Sequence, residues 1–559
     1  MMTCPIAIRP LCGMMMALVL LGGRSWAAPQ LASPPSATIP SGRYRIAGTV
    51  VSKADSRPLV RSRVTIRDAK DPSRFEFVIT SEDGKYEFTG LPAGKYSLTG
   101  AKRGFISASY EQHDEFSTAI VTGAGIDTEN LVLRLAPDAV ITGKVLDEAG
   151  DPVRQATVTL YYDDHSSGVD RVYQFRSAQT DDLGEYELTP LRPGTYFLAA
   201  SGKPWYAVHP PSATVNSESN GQETPAIDRS LDVAYPVTYY PDVTEADSAL
   251  PIPIRGGERV EADFHLNPVP SLRLLFHAPD DGTHTFFVPQ LQQPAFDGYT
   301  SVQTSVIVTA SPGVVEVTGI PAGRYNVSIH GPESTLQMSG VDLTKDGEEV
   351  DISKGEVSSS VKFSIQIAGE AGPPPQLTVG LRSGSRVVGA SQTDSKGEAE
   401  LQQIAVGKYE VVVWGPGKSY SVARMSAQGA EVSGHAVSVA AGSSPSLSLF
   451  VVTGNTDIQG TVVKAGKGFA GAMVVLVPKT PEVDRDLFRR DQSDLDGSFL
   501  LHAVIPGDYT LLAIENGWDL DWSQPGVIAA YLKQGRKIAV SNQDGRPRNV
   551  PDAVEVQSK

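Results

Sequence analysis

The sequence predicts an all-β chain built from about five β-sandwich domains in tandem. Three observations predict it. A fourteen-residue motif occurs five times: DGKYEFTGLPAGKY (83–96), LGEYELTPLRPGTY (183–196), PGVVEVTGIPAGRY (312–325), KGEAELQQIAVGKY (396–409) and DGSFLLHAVIPGDY (496–509). Gly (53) and Pro (40) are spread along all 559 residues, as short strands joined by turns require. An Ile-x-Gly-x-Val strand precedes three of the copies, at 46–50, 141–145 and 458–462.

The N-terminus departs from this pattern. Arg9 is followed by an apolar run from Leu11 to Gly23, and Ser25-Trp26-Ala27 places small residues at the −3 and −1 positions. The stretch 1–27 reads as a secretory signal peptide cleaved after Ala27, its run falling short of the ~20 residues a span needs. Residues 28–40 read as a linker. Both cysteines, Cys4 and Cys12, lie in the signal, so the exported chain has neither disulfides nor thiol chemistry. The net charge is −16, and −18 without Arg9 and Arg24. That balance excludes nucleic acid and anionic membrane surfaces, which need basic patches. No other run of about 18 apolar residues follows, so no membrane span is expected after signal cleavage.

Within the motif the first glycines (Gly84, Gly184, Gly313, Gly397, Gly497) and the second (Gly94, Gly194, Gly323, Gly407, Gly507) stand ten apart in every copy. Second glycines recur after 100, 129, 84 and 100 residues, the period of a domain rather than a 20–50-residue solenoid repeat. The motif reads as a hairpin. Gly84 supplies a positive φ entering a strand, Tyr86 and Phe88 alternate with Glu87, and Leu91-Pro92-Ala93-Gly94 makes a turn. Tyr96, Tyr196, Tyr325, Tyr409 and Tyr509 follow the second turn. There a buried ring can send its hydroxyl to backbone across the corner.

These landmarks, Gly-x-Val, then Pro-Val-x-x-Ala-x-Val-x-Leu, then Asp-x-x-Gly-x-Tyr…Gly-x-Tyr, resemble the carboxypeptidase regulatory-like domain. The resemblance is good for units one, two and five and partial for three and four. It implies transthyretin-like seven-stranded sandwiches, a fold reused as spacer, adhesin and sugar-binding module. The expected domains are 41–135, 136–267 with an insertion at 203–246, 268–360, 361–452, and 453–559 ending in a helix. Ser523-Gln524-Pro525 starts that helix and Gly535 ends it. Short linkers (135–138 and 267–270) suggest an extended, semi-rigid rod or binding surface.

Catalytic signatures are missing. None of the nine histidines forms His-Glu-x-x-His or the His-x-x-Glu pair of zinc carboxypeptidases, and no Gly-x-Ser-x-Gly elbow occurs. The acidic turns at Asp181, Asp394 and Asp494–Asp496 lack full calcium-loop spacing and fit turn chemistry. No metal or cofactor is expected. Ligand-binding candidates lie where the units differ. Trp205, Tyr206, Tyr239 and Tyr240 of the insertion are either a stacking platform for a sugar ring or a cover for an open sheet edge. Trp518 and Trp522 line either a cleft or the bed of the C-terminal helix. The expectation is an exported, non-catalytic binding or structural protein of the periplasm, cell surface or medium, partnered by polysaccharide or an envelope protein. The alternative is an accessory component of an outer-membrane uptake or secretion complex.

Overall fold

The computed structural model describes residues 39, 41–123, 125–210, 228–278, 287–330, 335–369, 376–384, 386–541 and 547–559. The signal segment and the polar middle of the insertion (212–224) lie outside the described residues.

Among the described residues, ten sheets pair face to face into five β-sandwiches. In the first, one sheet orders Lys85–Leu91, Tyr44–Ser52 and Leu131–Leu135, and the other runs Phe75–Ile79, Arg63–Asp68 and Gly94–Ala101. The rule repeats in all five. The opening strand pairs antiparallel with the motif's first strand and parallel with a strand near the end of the unit. Alternating side chains fill each interior. The five cores centre on Ile46, Tyr96 and Leu133; Ile141, Tyr196 and Phe264; Leu274, Phe276 and Tyr325; Val379, Tyr409 and Val451; and Ile458, Phe499 and Tyr509.

The motif is a corner, not a hairpin. Ile46 faces Phe88 in one sheet, whereas Leu98 faces Ile66 in the other, so the Pro92–Gly94 turn carries the chain between sheets. Each tyrosine then pins its corner by donating its hydroxyl to the carbonyl four residues back. Tyr96 reaches Pro92 (3.1 Å), Tyr196 Arg192 (2.9 Å), Tyr325 Pro321 (2.5 Å), Tyr409 Ala405 (2.9 Å) and Tyr509 Ile505 (2.7 Å). The second glycine makes room for an aromatic ring. A Cβ on Gly407 would stand 3.1 Å from the ring of Tyr409, and one on Gly194 would stand 2.8 Å from that of Tyr162.

A further shared feature sits four residues before the second glycine. The register shifts there in every unit. Gly90, Gly319, Gln403 and Ala503 have φ of 71°, 77°, 60° and 51°, and Pro190 holds the place in the second unit. A β-bulge with a left-handed residue bends the strand toward the corner.

The chain is not a rod. The fifth sandwich folds back onto the first and second while remaining tied to the fourth through Arg382, which contacts Glu410 (2.9 Å) and Asp486 (3.0 Å). Its docking surface is the strand Arg489–Gln492 and the 517–524 segment. Gln492 is buried and donates to the Glu111 carbonyl (2.5 Å) and to Thr118 (2.8 Å). Asp494 takes the Ala119 amide (2.9 Å) and Lys95 (2.5 Å). Burial pushes the Asp494 carboxyl up, against the pull of Lys95. Short linkers constrain neighbours only; polar and aromatic partners nearly 400 residues apart bring the ends together.

The insertion joins the second and third sandwiches. Its Val233–Ala234 pairs with Val269–Pro270, adding a strand to the third sandwich, while Thr238–Tyr239 pairs with Ala199–Ala200 of the second. Phe296 of the third packs against Tyr161, Phe197 and Tyr239 at 4.8–5.7 Å between ring centres.

Candidate functional site

The six aromatic candidates separate into three environments. Trp205 is 84% exposed and meets Tyr206 edge-on at 5.9 Å. The Tyr206 hydroxyl bonds Glu148, which also accepts from Tyr235 (3.1 Å). Desolvation, then the Glu148 carboxylate, pushes the Tyr206 hydroxyl up to about 12. Tyr239 is buried against Tyr161 and Phe296, and Tyr240 packs edge-on against Phe264 (6.2 Å). The four insertion aromatics therefore form no common platform: Tyr239 lies on a strand that covers the edge of the second sandwich, where its ring is core.

Trp518 and Trp522 lie at the junction of the first, second and fifth sandwiches. Trp518 stacks on His113 at 4.9 Å with 6° between planes, and its indole N–H donates to the Gly471 carbonyl (3.2 Å). Trp522 packs on Phe488 (5.7 Å) and beside Gly168, where an added Cβ would stand 2.6 Å from the indole. The helix Pro525–Leu532 buries Ile528 in the same cluster, with Met473, Val475 and Leu512. These rings fasten sandwiches together.

A cleft that the sequence did not announce opens between the third and fourth sandwiches, with a volume of about 710 Å³. Adjacent strands of the third sandwich contribute Gln292, Asn326 and Gln337 to its wall. The turn after Ala295 contributes Asp297, and the strand Gly298–Ser301 contributes Tyr299. The fourth sandwich contributes Arg386, Gln403 and Tyr409. Tyr299 is 47% exposed, with the Arg386 guanidinium 5.5 Å from its ring centre. Asn326 is oriented by accepting the Gly340 amide (2.9 Å), and Asp297 by accepting that of Val172 (2.7 Å). Amides and hydroxyls dominate this wall, with one cation, one carboxylate and one half-open aromatic face. The signal was hidden because no two of its segments are neighbours in sequence. Gln403 occupies the left-handed bulge position where units one and three have glycine, and its amide lines the cleft.

Two other polar groupings lie at sandwich junctions. His209, Asp232 and Ser271 meet between the second and third sandwiches. Asp232 (2.9 Å) and Ser271 (3.4 Å) both face the same imidazole nitrogen, Nδ1, and Ser271 also donates directly to Asp232. A nucleophile relay needs the hydroxyl and the orienting carboxylate on opposite nitrogens of the imidazole base, so this cluster fastens the two sandwiches rather than activating Ser271. His165, Asp170 and Asp521 gather within 4.8 Å, but Asp170 addresses Nδ1 (2.6 Å) and Asp521 addresses Nε2 (3.4 Å). As they stand, the two carboxylates address different ring nitrogens, which is the geometry of an ion pair. The acidic turns spend their oxygens on their own backbone. Asp394 accepts from Lys396 (2.8 Å) and Glu398 (2.9 Å), which holds its carboxyl below the ordinary range, and Asp181 accepts from Leu183 and Glu185 (both 2.9 Å).

Fold and cleft define a protein of tandem β-sandwiches whose units meet through side-chain networks. Two stretches, 45–129 and 140–225, match the carboxypeptidase regulatory-like domain, so the chain carries that domain twice. No curated protein matches the chain. Among solved structures it is similar to the Bacillus anthracis TIE protein (10% identity, 73% of this chain and 74% of that one, TM-score 0.17). It is also similar to a streptococcal ancillary pilin (13%, 55% and 98%, TM-score 0.19) and to two B repeat units of the Staphylococcus aureus collagen binding protein (13%, 73% and 99%, TM-score 0.12). Scores this low carry no argument about what this chain binds.

Proposed function

We propose that the chain is an exported, non-catalytic binding and structural protein of the cell envelope whose cleft between the third and fourth sandwiches takes an oligosaccharide. The observation that carries this reading is the wall of that cleft. Gln292, Asn326, Gln337 and Gln403 offer paired donors and acceptors, the pattern that a sugar's hydroxyls satisfy, and Tyr299 offers a flat apolar face for its C–H surface. The volume lies in the range of small-ligand sites and suits two to three sugar rings. Arg386 beside Tyr299 fits a neutral or acidic sugar better than a basic one. The chain's negative charge argues against nucleic acid.

The test is calorimetric titration with neutral and uronic oligosaccharides and with peptidoglycan fragments. Binding is expected to weaken at least ~10-fold in Tyr299→Ala and in Gln337→Leu and to be unchanged in Trp205→Ala, a loss of ~1.4 kcal/mol or more. A chain that binds none of these ligands, or binds one equally well without Tyr299, overturns the reading.

A further inference from the structure

We propose that His165 is a proton-controlled clasp between the second and fifth sandwiches, closed when its imidazole is cationic and loosened when it is neutral. His165 sits in the turn that follows the strand Thr157–Asp164, with Asp170 on the same turn and Asp521 on the docking segment of the fifth sandwich. Its Nδ1 meets the Asp170 carboxylate at 2.6 Å. Its Nε2 is closed off from solvent and meets the Asp521 carboxylate at 3.4 Å, beside the Leu520 carbonyl. Both nitrogens thus face acceptors only. A neutral imidazole carries one N–H and one lone pair, so in this site its lone pair points at oxygen. The cation donates from Nδ1 to Asp170 and carries an N–H and positive charge on Nε2 that pair with Asp521 across 3.4 Å. One of those carboxylates arrives only when the fifth sandwich docks, so docking and proton uptake are coupled.

The surroundings favour the cation. Asp163 and Asp164 end the strand that leads into the His165 turn, and Asp519, paired with Lys559, approaches from the fifth sandwich. Arg490, the nearby cation, donates to the Ser166 carbonyl (2.8 Å) but is matched by Asp114 and Glu115 of the first sandwich. Asp297 of the third sandwich holds the start of the next strand through Val172. Burial pulls the His165 imidazole down, and Asp170, Leu520 and Asp521 outweigh it, so the net direction is up. A raised histidine contributes docking strength that is complete below its ordinary value, about 6.5, and is lost as pH rises through the raised one.

The experiment uses the full chain with isotopically labelled histidine, the His165 resonance being assigned by its loss in His165→Gln. In the native chain His165 is expected to titrate above 6.5, and Asp521→Asn, a part-exposed change, is expected to lower that midpoint by about half a unit or more. Hydrogen exchange across 164–171 and 517–524, corrected for intrinsic rate, is expected to lose about five-fold protection between pH 6 and 9 in the native chain and to be flat in His165→Gln. A midpoint at or below 6.5 that ignores Asp521→Asn, or protection that is flat in the native chain, overturns the proposal. Protection restored at pH 9 by equimolar zinc also overturns it, since the site is then a cation site.

Discussion

The guanidinium carbon of Arg490 lies 4.2 Å from the centre of the Trp522 ring, and only 4% of the Arg490 side chain is exposed. The same group reaches Asp114 (3.3 Å) and Glu115 (3.8 Å) of the first sandwich and the Ser166 carbonyl (2.8 Å) of the second. One side chain of the fifth sandwich therefore ties three domains together. Burial lowers the Arg490 pKa, and the two carboxylates oppose that shift. The guanidinium remains charged because its ordinary value lies so far above neutrality.

Arg490→Ala is expected to destabilise docking by about 2–4 kcal/mol, because Asp114 and two indole faces lose their shared partner. Small-angle scattering then reports a larger radius of gyration, with faster hydrogen exchange across 489–492 and 517–524. Arg490→Lys is expected to rescue little, since an ammonium neither stacks flat on Trp522 nor donates in two directions at once. An unchanged scattering profile for Arg490→Ala would count against the junction.

Removing a corner hydroxyl tests the motif itself. Tyr325 is wholly buried and donates to the Pro321 carbonyl at 2.5 Å. Tyr325→Phe keeps the ring and is expected to cost about 1 kcal/mol in denaturant unfolding; Tyr325→Ala is expected to cost about 3–5. Equal losses for the two would mean that the ring's packing contributes little.

Asp491 makes the fifth sandwich sensitive to pH. Burial raises its carboxyl to about 6, with the amides of Leu500 and Gln492 pulling the other way. An acid whose folded value exceeds its unfolded one stabilises the fold below the unfolded value, near 4, and loses that contribution as pH rises through about 6. Asp491→Asn retains an acceptor for the Leu500 amide (2.6 Å). It is expected to match the native chain below about pH 4 and to exceed it by about 1–3 kcal/mol at pH 8. Thermal melts across that range check it; equal melts at pH 8 would refute the burial argument.

What was legible in the sequence is what spacing encodes. Two glycines ten positions apart and a tyrosine two further on fix a turn, a strand and a corner. All five tyrosines accordingly bond the carbonyl four residues back. Pairing partners were not legible, because an alternating strand looks the same whether it pairs across the next turn or, as Phe88 does, with Ile46. The closed arrangement was hidden for a related reason. Arg490 in sequence is one arginine among others, and its counter-charge at Asp114 stands 376 residues away. The cleft residues come from the two units whose resemblance to the domain is only partial, so neither unit alone shows a site.

The bulge positions give a contrast that geometry decides. Gly90 and Gly319 both have positive φ, but a Cβ on Gly90 meets nothing nearer than 3.7 Å, whereas one on Gly319 would stand 2.5 Å from Ser305 Oγ and 3.1 Å from His209 Nε2. Gly90→Ala therefore carries the backbone cost alone, about 1 kcal/mol, and Gly319→Ala is expected to cost at least about twice that. Ala503, which already bears a side chain at φ 51°, predicts the reverse sign: Ala503→Gly is expected to stabilise the fifth sandwich by up to about 1 kcal/mol. Gln403→Gly is expected to gain similar stability while weakening oligosaccharide binding, since the amide that lines the cleft is removed with the strain. Urea unfolding of the four variants, with ligand titration for Gln403→Gly, checks the set. A destabilised Ala503→Gly would show that the bulge is held by something other than its φ.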